Sequence, residues 1–461
     1  MKKIVLIILS AFVFSFYASS IYSFSIQDEI RLGRKFKKFM STHFSYVKDP
    51  YINEYVKRVL KRITSHIPDL PFSIKLYIIV DPTVNAFAAP AGYVFVNTGL
   101  IINMDNEDEL AAILAHELAH VRQRHLAKNI ERSKYLTAVG LTGILAGILV
   151  GNPELAKAIS ISSIAGVQTA ALRYSRENER DADKLGLEFL IRAGYSPYGM
   201  VRSFEKIKQL MKLSGVSTPP PYMLTHPGLV ERIGYIKEMI SYLSKHRKFK
   251  DIKNTDVSYL KIKVLTEARY GKNPHAVLQH IEYEENIKKL DFCILQLGKL
   301  IFYVRTSQFD MAKKIASSKC VNFEDPLWNR ELGIYFFSIK EFARSEFYLS
   351  KALHKKPNDI IAMLYLAKTL QYKGDLDLSI SYLKKILVLD PLNREAHLLL
   401  GQAFGQKRDL FKAYLHLAYY YLYRGNKNKS LFYFNKAQSI AKSIEEKFQL
   451  KKFKRKIKEI F

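Results

Sequence analysis

Three prolines, Pro326, Pro357 and Pro391, stand 31 and 34 residues apart, and each opens an apolar helical segment. Proline is tolerated in the first turn of a helix but not in its interior, so this spacing punctuates repeated units. Segments 327–356 and 358–390 align directly. Gly333 matches Ala367 in a first helix, Phe342 matches Leu376 at the start of a second, and Ala352 matches Ile386 near its end. Lys373-Gly374-Asp375 supplies the turn between the helices. A third unit starts at Asn393 and runs through 411–421. A fourth is fused to it, using 413–423, the turn Arg424-Gly425-Asn426 and then 431–437. Paired helices of this length cannot bury their apolar faces alone, so the units must stack into a solenoid with a concave face. Weaker units extend back to about Ser258.

The first 250 residues are of another kind. Lys2-Lys3, an apolar run from Ile4 to Tyr17 and the small residues Ala18-Ser19-Ser20 follow the pattern of a secretory signal peptide. Cleavage after Ser20 keeps small residues at both recognition positions, whereas cleavage after Ser23 puts Ile21 at −3. The run is shorter than the ~20 apolar residues of a spanning helix. Helical spacing governs 26–70, with Ile26, Ile30, Phe36 and Met40, then Tyr51, Tyr55 and Val59. Segments 72–80 and 93–96 are rich in β-branched and aromatic residues and read as strands. Asp105, Glu107, Asp108 and Glu109 precede the apolar run 110–118, which places negative charge where a helix dipole favours it. Residues 136–151, apolar and rich in glycine, read as a buried or membrane-dipping hairpin, and Pro219-Pro220-Pro221 as an extended loop. The expected division is a leader at 1–23, one domain at 24–250 and the repeats at 251–461.

Charge and cysteine content bound the partners. The chain has 72 Lys and Arg against 43 Asp and Glu, a net charge of +29 that favours nucleic acid or anionic lipid. Export separates the chain from cytoplasmic nucleic acid, and no segment supplies a nucleic-acid fold, so no nucleic-acid partner is expected. Lys451, Lys452, Lys454, Arg455, Lys456 and Lys458 make the C-terminus a solvated basic face or a surface for anionic lipid. Two cysteines rule out a disulfide scaffold and a multi-cysteine zinc module. Export permits a bond between Cys293 and Cys320, and two reduced buried thiols fit equally well.

Chemistry enters at His116-Glu117-Leu118-Ala119-His120. Histidines at i and i+4 of a helix lie about 40° apart around its axis, so both imidazoles reach one metal ion. Zinc held by two histidines and one acidic residue keeps its fourth position for water. Glu117, one residue on, is placed to take a proton from that water without being a ligand. The stretch 175–183 offers the missing carboxylate, and by composition Glu177, Glu179 and Asp181 all qualify.

Together with Asn85-Ala86-Phe87-Ala88, Gly92, Asn97-Thr98-Gly99-Leu100 and Ser175-Arg176 ahead of Glu179-xxx-Asp183, these residues make 26–243 resemble the M48 zinc metallopeptidases, among the gluzincins. The resemblance implies an α+β fold. A mostly helical metalloprotease domain with a small β-sheet would be followed here by the all-α tetratricopeptide-repeat solenoid that the period near 34 announces. It implies one Zn2+ per chain held by His116, His120 and Glu179, with Glu117 as the catalytic base. Asp183 would hold a ligating histidine by hydrogen bond. Thr225-His226-Pro227 and Arg232 resemble the element that closes these domains, where the histidine can approach the zinc and idle the enzyme. Arg232 would orient substrate or stabilise the oxyanion.

Tyr93, Val94, Phe95, Val96 and Asn97 are expected to form the edge strand that pairs with an extended peptide. His125, five residues past His120, is expected to point away from the site. Pro90-Ala91-Gly92 stands where the family often shows Pro-Gly-Gly, a departure in the turn alone. Leader, metallopeptidase and repeats together imply a periplasmic endopeptidase, with contact to the outer membrane, that cleaves unfolded, stalled or misassembled outer-membrane proteins. The repeats would dock the client or the barrel assembly machinery. The alternative is a chaperone or binding module for outer-membrane protein assembly whose protease site is largely silenced by His226.

Overall fold

The computed structural model describes residues 24–132, 174–213, 221–251, 256–286 and 290–460, together with 145, 147 and 149. The leader, most of the apolar run 136–151 and Pro219-Pro220 lie outside the described residues.

Two amphipathic helices come first, α1 (Ile26–His43) and α2 (Pro50–Thr64). Ser25 starts α1: its hydroxyl accepts from the Asp28 amide and the Asp28 carboxylate accepts from the Ser25 amide. This reciprocal box satisfies two donors that a helix start leaves unpaired. Asp49 caps α2, and Pro50 fills its first position. Three strands follow, β1 (Lys75–Ile79), β2 (Ala86–Ala89) and β3 (Tyr93–Asn97), in the order β1-β3-β2. β1 runs parallel to β3, and β2 runs antiparallel to it.

The order corrects the expectation for 93–97. Tyr93, Val94, Phe95, Val96 and Asn97 form the middle strand, paired on both sides and fully buried. The cause is a reversal at Pro90–Gly92, where Ala91 (φ 65) and Gly92 (φ 74) both take left-handed conformations and fold Ala86–Ala89 back onto β3. Ala91 adopts what a glycine would do without strain, at a cost of about 1 kcal/mol. The outer side of β1 is covered by Phe44–Val47 through Val47 N–H to Ile78 O (2.8 Å) and Val80 N–H to Ser45 O (2.8 Å). The remaining edge belongs to β2.

Helices α3 (Thr98–Asn103), α4 (Glu107–Gln123), α5 (His125–Arg132), α6 (Arg176–Arg192), α7 (Tyr198–Leu213), α8 (Pro221–Thr225) and α9 (Leu229–Ser244) complete the first part. Asn106 caps α4, and Glu107, Asp108 and Glu109 occupy its first turn as expected. α6 packs across α4 at Gly186, where a Cβ would stand a tight 3.1 Å from the His116 backbone. Leu145 and Leu149, from the apolar run, are buried with Phe36, Phe87 and Phe95. The Asn85 side chain donates to Leu149 O at 2.9 Å.

The rest is helical: α10 (Val257–Tyr270), α11 (Pro274–Asn286), α12 (Phe292–Arg305), α13 (Phe309–Ala316), α14 (Pro326–Ser338), α15 (Phe342–Lys355), α16 (Ile360–Lys373), α17 (Leu376–Leu389), α18 (Arg394–Gln406), α19 (Leu410–Tyr423), α20 (Lys427–Ile440) and α21 (Ile444–Ile460). Asp325, Asp359, Asp375, Asn393, Asp409 and Asn426 cap α14 and α16–α20 through their side chains. Pro326 is the first residue of α14. Pro357 and Pro391 instead lie three residues ahead of α16 and α18, in the turns. A serine bond repeats along the array: Ser345 donates to Gly333 O, Ser379 to Ala367 O and Ser430 to Ala418 O, at 2.9, 2.9 and 3.0 Å. The bond in α19–α20 has the same register as in the first two pairs. α19 also packs on α18, so one helix serves two fused units.

Packing continues across residue 250. One core runs from Val47 through Tyr259 and Leu265 to Trp328 and Tyr335, and the Tyr259 hydroxyl of α10 donates to Ile101 O of α3 at 2.9 Å. At this junction Arg330 is fully buried among carboxylates. Its guanidinium reaches Asp49 at 2.7 Å, Glu331 at 2.8 Å and Asp359 at 3.2 Å, and Arg269 pairs with Glu331 and Asp49. Cys293 and Cys320 are joined in a disulfide. Among the described residues, no helix is long and apolar enough to cross a membrane.

Candidate active site

α4 presents His116, Glu117 and His120, α6 presents Glu179 and Asp183, and the turn after α8 presents His226. All six side chains are buried. Glu177 and Asp181, the compositional rivals of Glu179, are exposed on the other face of α6. One ligand atom from each of His116, His120, Glu179 and His226 lies within 4.8 Å of every other. His116 Nε2 stands 3.0 Å from His120 Nε2, 3.4 Å from Glu179 Oε2 and 3.3 Å from His226 Nδ1. His120 Nε2 stands 3.4 Å from Glu179 Oε1, and His226 Nδ1 stands 3.0 Å from that same oxygen.

This donor set fits zinc. Three imidazoles and one carboxylate are its usual ligand types, and burying them together without a cation between them is costly. His226 Nε2 and Glu117 Oε1 are buried without a hydrogen-bond partner among the described residues, 3.4 Å apart. His116, His120, Glu179 and His226 are the residues that would hold the ion.

The surroundings orient these groups. Asp183 Oδ1 accepts from His116 Nδ1 at 3.0 Å, the contact that the M48 resemblance implies. Arg232 donates to both Asp183 oxygens, from Nε at 2.7 Å and from Nη2 at 2.6 Å, and pairs through Nη1 with Glu179 Oε2 at 2.6 Å. Its guanidinium is therefore engaged with the carboxylates that hold the ligand set. Tyr235 also donates to Asp183.

The charges follow. Burial and Arg232 oppose protonation of His116, but hydrogen bonds to Asp183 and Glu179 overcome them and raise it to about 9. Burial would raise Glu179 and Asp183, yet the neighbouring His226 and Arg232 hold Glu179 well below its usual range, and Arg232 with His116 brings Asp183 to about 2. Glu117 is pushed up, chiefly by burial, while His226 and His116 pull against it. Burial keeps His120 well below its ordinary value.

Three contributors are not evident in the sequence. The Ala88 amide, on the outer side of β2, donates to Glu117 Oε2 at 2.9 Å. Tyr174 stacks on His120 with ring centroids 3.9 Å apart, and Tyr222 stacks on His226 at 4.4 Å. His125, expected to point away, instead meets His120 Nδ1 at 3.0 Å. The i+5 angle fails because Arg124 (φ 52, ψ 37) ends α4 and turns the chain before α5 begins.

A small sheet over a His-Glu-x-x-His helix, with a carboxylate from a second helix completing the donor set, defines a gluzincin-type metallopeptidase domain. Residues 47–240 match Peptidase family M48, and this segment is an M48 peptidase domain. The chain is 30% identical over 301 residues to a putative beta-barrel assembly-enhancing protease of Vibrio cholerae, covering 63% of this chain and 60% of that protein. It is 32% identical to the beta-barrel assembly-enhancing protease of Escherichia coli K12, over 44% of this chain and 42% of that one. It is also 32% identical to the mitochondrial metalloendopeptidase OMA1 of Schizosaccharomyces pombe, over 49% of this chain and 65% of that one. The match thus spans roughly two fifths to two thirds of these relatives.

Proposed function

We propose that this chain is a zinc-dependent endopeptidase of the periplasm that cleaves unfolded, stalled or misassembled outer-membrane proteins. The observation that carries the chemistry is the convergence of His116, His120 and Glu179 beside Glu117, which the Ala88 amide of β2 contacts. The likeness to beta-barrel assembly-enhancing proteases supports the substrate class, and the leader pattern of 1–23 supports the location.

Bound zinc would supply Lewis acidity, polarising the scissile carbonyl and acidifying water. Glu117 takes the proton of the attacking water and delivers it to the leaving amine, and its raised carboxyl suits a group that must do both. We assign peptide binding to β2 rather than β3. An extended substrate adds as a strand along Ala86–Ala89, and backbone pairing accepts many sequences. Asp183 and Arg232 hold the ligands. The repeats of 251–461 dock the client or the barrel assembly machinery, while 24–250 carries the chemistry. α21 adds peripheral contact with an anionic membrane, since exposed Ile444 and Phe448 share a face with Lys451, Lys452 and Arg455.

The test uses purified mature protein with an unfolded outer-membrane β-barrel protein as substrate. Metal analysis should return one zinc per chain, 1,10-phenanthroline should abolish cleavage, and added zinc should restore it. Cleavage that survives complete removal of metal overturns the proposal.

A second reading, a binding module with a silenced site, is favoured by His226, which completes a closed four-donor set as in structural zinc sites. If His226 idles the enzyme, His226→Ala retains zinc on three ligands and raises basal cleavage by at least ~5-fold, the low end of typical couplings. Unchanged cleavage with full zinc argues against gating.

A further inference from the structure

His125 is brought to the metal site by a deliberate break in the chain. Arg124 takes the left-handed conformation between α4 and α5, unfavourable for a residue with a Cβ, and α1 pins it there. Arg124 Nε donates to Glu29 Oε2 at 2.9 Å and Nη2 donates to Phe24 O at 3.2 Å. The turn sends the His125 ring back beneath His120, Nδ1 to Nδ1 at 3.0 Å, with 2% of the residue exposed. Tyr174 closes the face of His120 by stacking.

The tautomer of His120 makes this contact consequential. Its Nε2 faces His116 Nε2 and Glu179 Oε1, so Nε2 is the ligating atom and must be bare. The ring proton then sits on Nδ1 and requires an acceptor, because a buried N–H without one is costly. His116 meets the same need through Asp183. We propose that His125 is the positioning residue of the second zinc histidine, accepting the His120 Nδ1–H at its own Nδ1 and thereby fixing the ring that presents Nε2 to the metal. Residues that orient zinc ligands in this way typically alter metal affinity 10–100-fold when removed. The inference rests on the metallopeptidase reading and extends it to a residue outside the His-Glu-x-x-His motif.

The test compares full-length wild type, His125→Asn and His125→Leu by zinc competition titration, with circular dichroism to establish folding. Asparagine places an acceptor near the position of Nδ1, and leucine fills space without one. The leucine variant should bind zinc about 10–100-fold more weakly while the asparagine variant stays close to wild type. Leucine binding as tightly as wild type overturns the proposal, and so does an equal loss in both variants, which would mark a packing role. Long-range 1H–15N spectra of zinc-loaded wild type decide the matter even if a variant fails to fold. They should show His120 protonated at Nδ1 and His125 at Nε2 alone, and a proton on His125 Nδ1 would refute it. A wild type that takes up no zinc sinks the metallopeptidase reading as well. Normal wild-type uptake with an unaffected leucine variant sinks this inference alone.

Discussion

Glu117→Gln is expected to keep its zinc and lose its proteolysis, with kcat/KM falling ~10²–10⁴-fold, the usual contribution of a positioned acid–base group. Glutamine preserves the shape and the acceptor that meets the Ala88 amide, so neither β2 nor α4 has reason to move. What disappears is the carboxylate oxygen beside His226, which has no hydrogen-bond partner among the described residues and is free to receive a proton. Metal analysis and single-turnover cleavage of an unfolded outer-membrane protein separate the outcomes. Residual activity within tenfold of wild type means that another group is the base. Loss of zinc means that Glu117 is itself a ligand.

The second large effect concerns stability. Arg330→Met should cost about 3–5 kcal/mol, because it leaves Asp49 and Asp359 buried with little compensation. Burial alone would raise Asp49, yet Arg330 and Arg269 hold it below the usual carboxylate range. At Asp359 burial prevails over Arg330 and the carboxyl is raised. The sign of the pH dependence follows. Wild type loses the Asp49 contribution as pH falls through its depressed folded-state value, whereas carboxyls raised in the variant make it relatively more stable in acid. The gap in urea midpoint should therefore be widest near neutrality and narrow toward acid. Adding Asp49→Asn and Asp359→Asn should recover most of the loss, since asparagine caps helices as aspartate does and carries no charge. A deficit unchanged by those additions shows that Arg330 acts through packing. The network joins the cap of α2 to α14 and α16, so it also sets how the repeats sit on the catalytic part.

Features carried by short-range spacing were legible beforehand. Glu179 and Asp183 stood out from Glu177 and Asp181 only through the resemblance to the M48 metallopeptidases, whereas His116, Glu117 and His120 share one helix turn and are kept together by helix geometry. The repeat units were legible for the same reason. Their caps and turns are local, although the serine that bonds each paired helix gave no signal until the carbonyl across from it was visible. The strand at 93–97 was recognisable as a strand but not as the middle one. Its neighbours depend on a reversal at Pro90–Gly92 that places Ala86–Ala89 along its flank. The position of His125 is not legible from helix spacing, because the left-handed Arg124 breaks the helix before it.

The histidine pair and the helical solenoid are legible in the sequence because both rest on periodicities within single helices, whereas the third ligand, Glu179, came from the resemblance to the M48 metallopeptidases. Only the tertiary structure decided which strand edge faces Glu117, that His226 and His125 both reach the ligand cluster, and that Arg330 is buried between the two parts of the chain. Each of those depends on contacts between segments tens to hundreds of residues apart, where burial and hydrogen-bond pairing, rather than local conformation, select the arrangement.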